Sequence, residues 1–301
     1  MCDISSYVLI CTYNGELYLN DQVNSIFNQT TPVKKLFIYD FGSTDKTKII
    51  IFELQNKFTD SINVNHFKKT NSVIQSFLLA INDISKKIPT NSILFISDQD
   101  DYWLPCKNES IIKLHLEKYK YPVMIHHDII LTDKYLKPIN KEFYSRNQKK
   151  LLITNIPHRQ FFSTVIGHTI CLNYYCILYL TNKKFHKSLI MHDWYWSILV
   201  EQIGKVIYFD KKLSFYRQHD NNLLGLNRSD HWLDKIKNVS RNLTAISCQR
   251  NYLYSNFSNR DNKSFLLWFL IKNLLIKELI SYSLVNILSL FYYRKHIEKL
   301  N

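Results

Sequence analysis

Phe95-Ile-Ser-Asp-Gln-Asp-Asp-Tyr-Trp-Leu-Pro105 places three aspartates, Asp98, Asp100 and Asp101, within four positions. The chain carries a formal net charge of +14, so this concentration of acid is a local feature. The residues before it, Ser92 to Ser97 (SILFIS), form a short apolar run that reads as a buried strand. The aspartates therefore stand at the carboxyl end of a strand, and Pro105 suits the first turn of a following helix.

Working outward, the same alternation repeats. Tyr7 to Thr12 (YVLICT), Leu36 to Asp40 (LFIYD), Ile62 to Phe67 and Val123 to His127 read as further strands. Between them, Leu19, Val23, Ile26 and Phe27 recur at helical spacing, as do Val73, Phe77, Ala80, Ile81 and Ile84. A further helix is expected from about Lys46 to Phe58. This order predicts an α/β fold, a mainly parallel sheet with helices on both faces. In such sheets ligands bind at the carboxyl ends of the strands. Three of those ends carry polar groups: Thr12-Tyr13-Asn14-Gly15-Glu16, Asp40-Phe41-Gly42-Ser43 and Asp98 to Asp101. They are expected to converge at one edge.

Carboxylates two residues apart on such a loop can share one hard cation, and Mg²⁺ or Mn²⁺ prefers oxygen ligands. The alternative for the cluster alone is a solvated turn in which an aspartate caps the next helix. The other two polar strand ends favour the cation.

Composition sets bounds. A chain of 301 residues with 46% apolar content can bury a sizeable core and is not a disordered one. The start, MCDISSYVLICTYNG, has neither the basic region nor the apolar run of a signal peptide. The six cysteines make no C-x-x-C pair, which points to free thiols and a cytoplasmic setting. Only five glycines occur where average usage gives roughly 20, so each is expected where the backbone needs it. Gly204, after the helix expected over Asp193 to Ile203, reads as a helix cap.

Thr12–Thr30 (TYNGELYLNDQVNSIFNQT), Tyr39–Thr47 (YDFGSTDKT), Phe95–Lys107 (FISDQDDYWLPCK), Met191–Trp196 (MHDWYW) and Phe215–Gly225 (FYRQHDNNLLG) stand in an order and spacing that resembles the family 2 glycosyltransferases. The nearest resemblance is to a rhamnosyltransferase-like branch that builds bacterial surface polysaccharides. It spans Ser5 to Gly225.

The resemblance implies a GT-A fold, a nucleotide-sugar donor, a divalent metal and inversion at the anomeric carbon. L-Rhamnose from a thymidine diphosphate donor is one option, and the acceptor implied is a glycan or lipid-linked glycan. Asp98 and Asp100 match the family's metal-binding pair, and Asp101 the acid that follows. Asp193 matches its catalytic base; by residue type alone it also suits a helix N-terminus. Thr12, Tyr13, Asn14, Glu16, Asp40 and Ser43 match the donor-binding loops, with Gly15 keeping the backbone close to the ligand. Arg217 would meet phosphate charge, and His219 would ligate metal or phosphate; a surface strand with polar residues is the other reading of that segment. His168, His192 and Trp194 are candidates for contact with the sugar or acceptor. For the two histidines, a buried satisfied ring or a solvent-facing one competes. Two positions depart from the family: His168 stands where a small or Cys-like residue is common, and Phe41 stands where a second aspartate contacts the base. Phe41 leaves open weaker donor binding, takeover by Asp40, or a catalytically impaired nucleotide-sugar binder.

The remaining segment differs. Residues 228–301 hold 12 Lys and Arg against 5 Asp and Glu. Within it, Phe265 to Tyr293 is strongly apolar, and its longest uncharged run is the 15 residues Leu279 to Tyr293. A transmembrane helix needs about 18 or more. An apolar helix with basic flanks suits an anionic inner-leaflet surface; packing on the catalytic domain is the alternative. The expected division is a domain over 1–227 and a basic helical region over 228–301, peripheral at most. Basic charge also raises nucleic-acid binding, but no helix-turn-helix or aromatic RNA platform accompanies it, so no nucleic-acid partner is expected.

Overall fold

The computed structural model describes residues 4–144, 149, 152, 163–220, 248, 249 and 252. The elements run β1 Ser5–Thr12, α1 Leu19–Phe27, β2 Lys35–Asp40, α2 Thr47–Lys57, β3 Ile62–His66, α3 Val73–Ile84, β4 Ser92–Ser97 and β5 Tyr102–Trp103. They continue with α4 Lys107–Ile112, β6 Val123–Thr132, β7 Cys171–Asn173, α5 Tyr174–Leu180, α6 His192–Ile203 and β8 Lys205–Arg217.

The eight strands make one mixed, mostly parallel sheet in the order β3-β2-β1-β4-β7-β6-β8-β5. β1 pairs in parallel with β2 and β4, and β2 with β3. The short β7 then joins β4 and β6 antiparallel, and β8 runs parallel to β6. Alternate residues of the first strands face one core: Val8, Ile10, Leu36, Ile38, Ile93 and Phe95 pack with Leu19, Val23 and Ile26 of α1 and Ile51 and Leu54 of α2. The intervening residues Leu9, Phe37, Tyr39, Leu94 and Ile96 are equally buried and point the other way. On the α3 side, Phe77 meets His192 and Trp196 of α6.

Local chemistry explains the breaks. Ser72 caps α3 by accepting from the Gln75 N–H, and Asn173 caps α5 by accepting from the Cys176 N–H. Gly42 has φ +78°, a left-handed turn that suits glycine alone among the residues of its loop.

Four sequence expectations need adjustment. The acid loop does not run straight into a helix: Tyr102 and Trp103 form a short strand paired with Phe215 and Ser214 of β8. Two residues give periodicity nothing to detect. Pro105 consequently lies just ahead of α4, whose N-cap is Cys106, and its carbonyl accepts from the Thr30 N–H. The fifth strand continues past His127 to Thr132, because β8 is long enough to pair with it across a register shift. Gly204 does cap α6, but with φ −150°. It is required because a Cβ there would collide with the Pro122 carbonyl oxygen.

By contacts the chain divides into two units. One comprises 1–159, 163–185 and 191–226 and carries the sheet; the other comprises 160–162, 186–190 and 227–301. In the second unit, the Ile190 N–H donates to Gln249, and the His186 ring stacks on Tyr252. The helical and membrane-surface expectations for 228–301 lie outside the described residues apart from 248, 249 and 252. Among the described residues, no helix is long and apolar enough to cross a membrane.

Candidate active site

A cleft of about 510 Å³ opens at the carboxyl ends of β1, β2 and β4. Its lining includes Thr12, Tyr13, Asn14 and Gly15 from the first strand end, Phe41 from the second, and Asp98, Gln99 and Asp100 from the third. Gly167, His192, Asp193, Tyr216 and His219 complete the lining. Three loops distant in sequence thus meet where the sheet topology puts them.

The first two loops are laced to each other. The Asn14 N–H donates to Ser43 Oγ at 2.9 Å, and Asn14 Oδ1 accepts from the Thr44 N–H at 2.9 Å. The Gly15 N–H donates to Thr47 Oγ1 at 2.7 Å, and Glu16 accepts from the Lys46 N–H at 2.9 Å. Thr12 Oγ1 donates to Gln99 Oε1 at 2.6 Å. Gly15 is needed because a Cβ would press on Gln99 and Thr12, so close approach by protein accounts for it. Asp40 is fully buried; it accepts from the Ser43 N–H and lies 3.3 Å from the His66 ring. It does not line the cleft. Phe41 does, backed by a stack on Phe67 with ring centroids 5.4 Å apart. Near it stands Tyr13, whose hydroxyl accepts from Lys69 at 2.9 Å.

The third loop carries the charge. Asp98 is about one-third exposed, Asp100 is mostly buried and Asp101 is buried. Partial desolvation in the cleft pushes the Asp98 carboxyl well up, and the carboxylates of Asp101, Asp100 and Asp193 add to the push. Asp100 Oδ2 lies 2.9 Å from His219 Nε2. Asp101 accepts the Arg217 N–H through Oδ1, while its Oδ2 lies 2.8 Å from Nδ1 of His168. His168 itself is fully buried, on a single 3₁₀ turn Gly167–Thr169 ahead of β7. Asp98, Asp101 and His168 each offer a ligand atom, all within 4.8 Å of one another, and could hold a cation. The donor set fits a divalent metal: two carboxylates that burial drives toward protonation gain most from a bound positive charge.

Sequence reasoning passed over Lys107, which sits behind this cluster. It is fully buried, donates to the His168 carbonyl at 2.8 Å and lies 4.0 Å from the Trp103 ring centre. Burial lowers it to about 7.

Asp193 occupies the first turn of α6 and lines the cleft. Backbone N–H groups of Trp194 and Gly167 donate to its carboxylate, yet burial dominates and raises it to about 6. His192 is stacked on Phe77 at 3.7 Å, and burial lowers it to about 3, so its imidazole is neutral. Trp194 is buried in α6 and Arg217 in β8, and neither lines the cleft. The Arg217 guanidinium is committed to protein: it donates to the Asp100 and Lys134 carbonyls and to the Asp21 carboxylate, and covers the Tyr18 ring.

The sequence profile of the family described as glycosyl transferase family 2 matches residues 7–175. The chain belongs to that family. This glycosyltransferase, which uses a nucleotide-sugar donor, is 25% identical over 232 residues to the dTDP-rhamnosyl transferase RfbG of Shigella flexneri, covering 73% of this chain and 75% of that one. It is 24% identical over 222 residues to an uncharacterized glycosyltransferase of Haemophilus influenzae, covering 71% and 65%. Among solved structures, TarS of S. aureus in complex with UDP-GlcNAc superposes with TM-score 0.56 at 15% identity, covering 87% of this chain and 76% of that one. The mannosyltransferase PcManGT of Pyrobaculum calidifontis, in complex with GDP-Man and Mn²⁺, gives TM-score 0.54 at 12% identity, covering 98% and 87%. These two likenesses establish the GT-A fold of the glycosyltransferase.

Proposed function

We propose that this glycosyltransferase moves a sugar from a nucleoside diphosphate to a glycan hydroxyl, with inversion at the anomeric carbon and with Asp193 as the base. The observation that carries this reading is that Asp193 and the Asp98–Asp100 loop line one cleft. A carboxylate in the same cleft as the acid loop can take the acceptor's proton while the sugar leaves the diphosphate. An Asp193 raised to about 6 is ionised at neutral pH but more basic than an ordinary aspartate, as proton abstraction requires.

A divalent cation, Mg²⁺ or Mn²⁺, would be held by Asp98 with the acids and histidine beside it. It would supply positive charge to the departing diphosphate. The nucleoside would lie toward Tyr13 and Phe41, where ring faces replace a carboxylate. Thymidine diphosphate with L-rhamnose is the first donor to test, because the Shigella relative is a dTDP-rhamnosyl transferase. The retained Asp98, Asp100 and Asp193 favour an active enzyme over an impaired binder.

Calorimetric titration of thymidine, uridine and guanosine diphosphates, with and without Mn²⁺, tests the donor site. Metal-dependent binding of one nucleotide is expected. Binding of none would remove the reading.

A further inference from the structure

We propose that Lys107 is a positioning residue for the transfer reaction: it sets the single turn Gly167–Thr169, and through that turn it holds the carboxylate of Asp193. The inference rests on the reading of Asp193 as the base. Lys107 is fully buried, and among the described residues its ammonium pairs directly with no carboxylate and has one hydrogen-bond partner, the His168 carbonyl at 2.8 Å. It otherwise lies over the rings of Trp103 and Phe95, 4.0 and 6.0 Å from their centres. A lysine so placed is a poor choice for stability, because a buried charge without a close counter-ion costs more than an apolar side chain of similar shape. Its one hydrogen bond must therefore accomplish something an apolar residue could not.

The turn is tied to its surroundings at three points. The His168 carbonyl accepts from Lys107, the His168 ring lies 2.8 Å from Asp101 on the acid loop, and the Gly167 N–H donates to the Asp193 carboxylate. Within the turn, the Thr169 N–H donates to the Ile166 carbonyl at 3.0 Å and the Ile170 N–H to that of Gly167 at 3.1 Å. Such 3₁₀ bonds are poorly aligned, so a single turn depends on its outside contacts. This one packs directly on the first turn of α6: a Cβ on Gly167 would stand 3.0 Å from His192 Nε2 and 3.8 Å from Asp193 Oδ2. A shift of the turn therefore carries the Asp193 hydrogen bond with it. Misplacing a reacting group by about 1 Å can cost about 10²-fold in rate, so Lys107 can govern the chemistry without touching substrate.

The test is a carboxyl NMR titration of the full chain with ¹³C-labelled aspartates, the Asp193 signal being the one missing from Asp193→Asn. Wild type should titrate at about 6. In Lys107→Met the melt should be unchanged or higher, since an apolar side chain replaces a buried cation. Its Asp193 titration should move upward, because the Gly167 N–H that favours the charged form is drawn away. Release of thymidine diphosphate from thymidine diphosphate rhamnose should fall about 10²-fold in kcat, while thymidine diphosphate affinity changes by less than about threefold. Should Lys107→Met fail to fold, Gly167→Ala displaces the same turn against His192, and the Asp193 titration must move there too. An unmoved titration in the folded variant overturns the inference, as does weaker nucleotide binding with kcat unchanged. Full turnover by Asp193→Asn is a different failure: it removes the base reading, and this inference with it.

Discussion

The two walls of the cleft are built on opposite terms. On the wall formed by the ends of β1 and β2, side chains that look like ligands are engaged with the protein. Thr12, Asn14, Glu16, Asp40 and Ser43 all make hydrogen bonds within or between the loops. On the wall formed by β4, the Gly167 turn and α6, the chemistry is held in reserve. Asp98 and Asp193 are carboxylates raised well above the ordinary range, and Asp101 is paired with His168 at 2.8 Å beside them. The first wall is a preorganised mould, and the second a set of groups awaiting ligands. Substitutions on the first should therefore act through stability and shape, and those on the second through the reaction.

The largest effect should come from Asp193→Asn. Transfer should fall by about 10²–10⁴-fold, with nucleoside diphosphate affinity unchanged. The variant should also be more stable. Asp193 is raised in the folded state, so its protonated form stabilises the fold at low pH. That contribution is lost as pH rises from the ordinary carboxyl range through about 6. Above that, ionisation of the buried carboxylate costs about 3 kcal/mol, which asparagine avoids. Denaturant melts at pH 8 should show the gain, and melts near pH 4 should not. In wild type, kcat/KM should climb with pH through about 6 and then level, set by the same group. Equal transfer by the variant would break the contrast between the walls at its strongest point.

Next is Arg217→Met. Its guanidinium joins the acid loop, the Lys134 carbonyl and Asp21 from a buried position. The variant should lose about 3 kcal/mol of stability. Nucleotide affinity of the folded protein should change by less than about threefold, since no new ligand contact is lost. A large loss of affinity with an unchanged melt would restore Arg217 to the phosphate.

The fold was legible because its first half obeys local rules. β1, β2 and β4 are short apolar runs, and each ends in a polar loop that the parallel topology must bring to one edge. The pairing of Tyr102–Trp103 with β8 was not legible, since a two-residue strand is defined only by its distant partner. Site residues could be named from motifs, but not their commitments. A sequence shows that Arg217 is cationic; it does not show Asp21 and two carbonyls arriving from elsewhere. Lys107 was hidden for the same reason: nothing local signals that a lysine after a proline will be fully buried. His168 was singled out as a departure, while its approach to Asp101 depends on a contact across 67 positions.

A smaller effect belongs to the mould. Ser43→Ala should cost about 1–2 kcal/mol, because the Asn14 N–H loses its acceptor in a part-buried loop. Nucleotide affinity should fall modestly alongside. If stability is unchanged, the lacing of the two loops is not what holds them.

The finest discrimination lies at Phe41. Its ring is 2% exposed, lines the cleft and leans on Phe67. Asp40, the neighbouring carboxylate, is turned into the protein toward Ser43 and His66, so no carboxylate from this loop is presented to a base. The ring is thus a surface for stacking, worth about 1 kcal/mol over an aliphatic side chain. Phe41→Leu keeps most of the bulk and should weaken nucleoside diphosphate binding about fivefold, with little change in the melt. Phe41→Asp should instead destabilise the fold, because the new carboxylate would be buried against Phe67. Calorimetry of both variants separates the two accounts. Tighter binding by Phe41→Asp would mean that the aromatic ring weakened a carboxylate-reading pocket. Weaker binding by both would mean that this wall recognises its base by shape and ring contact, consistent with a mould whose polar atoms are already engaged.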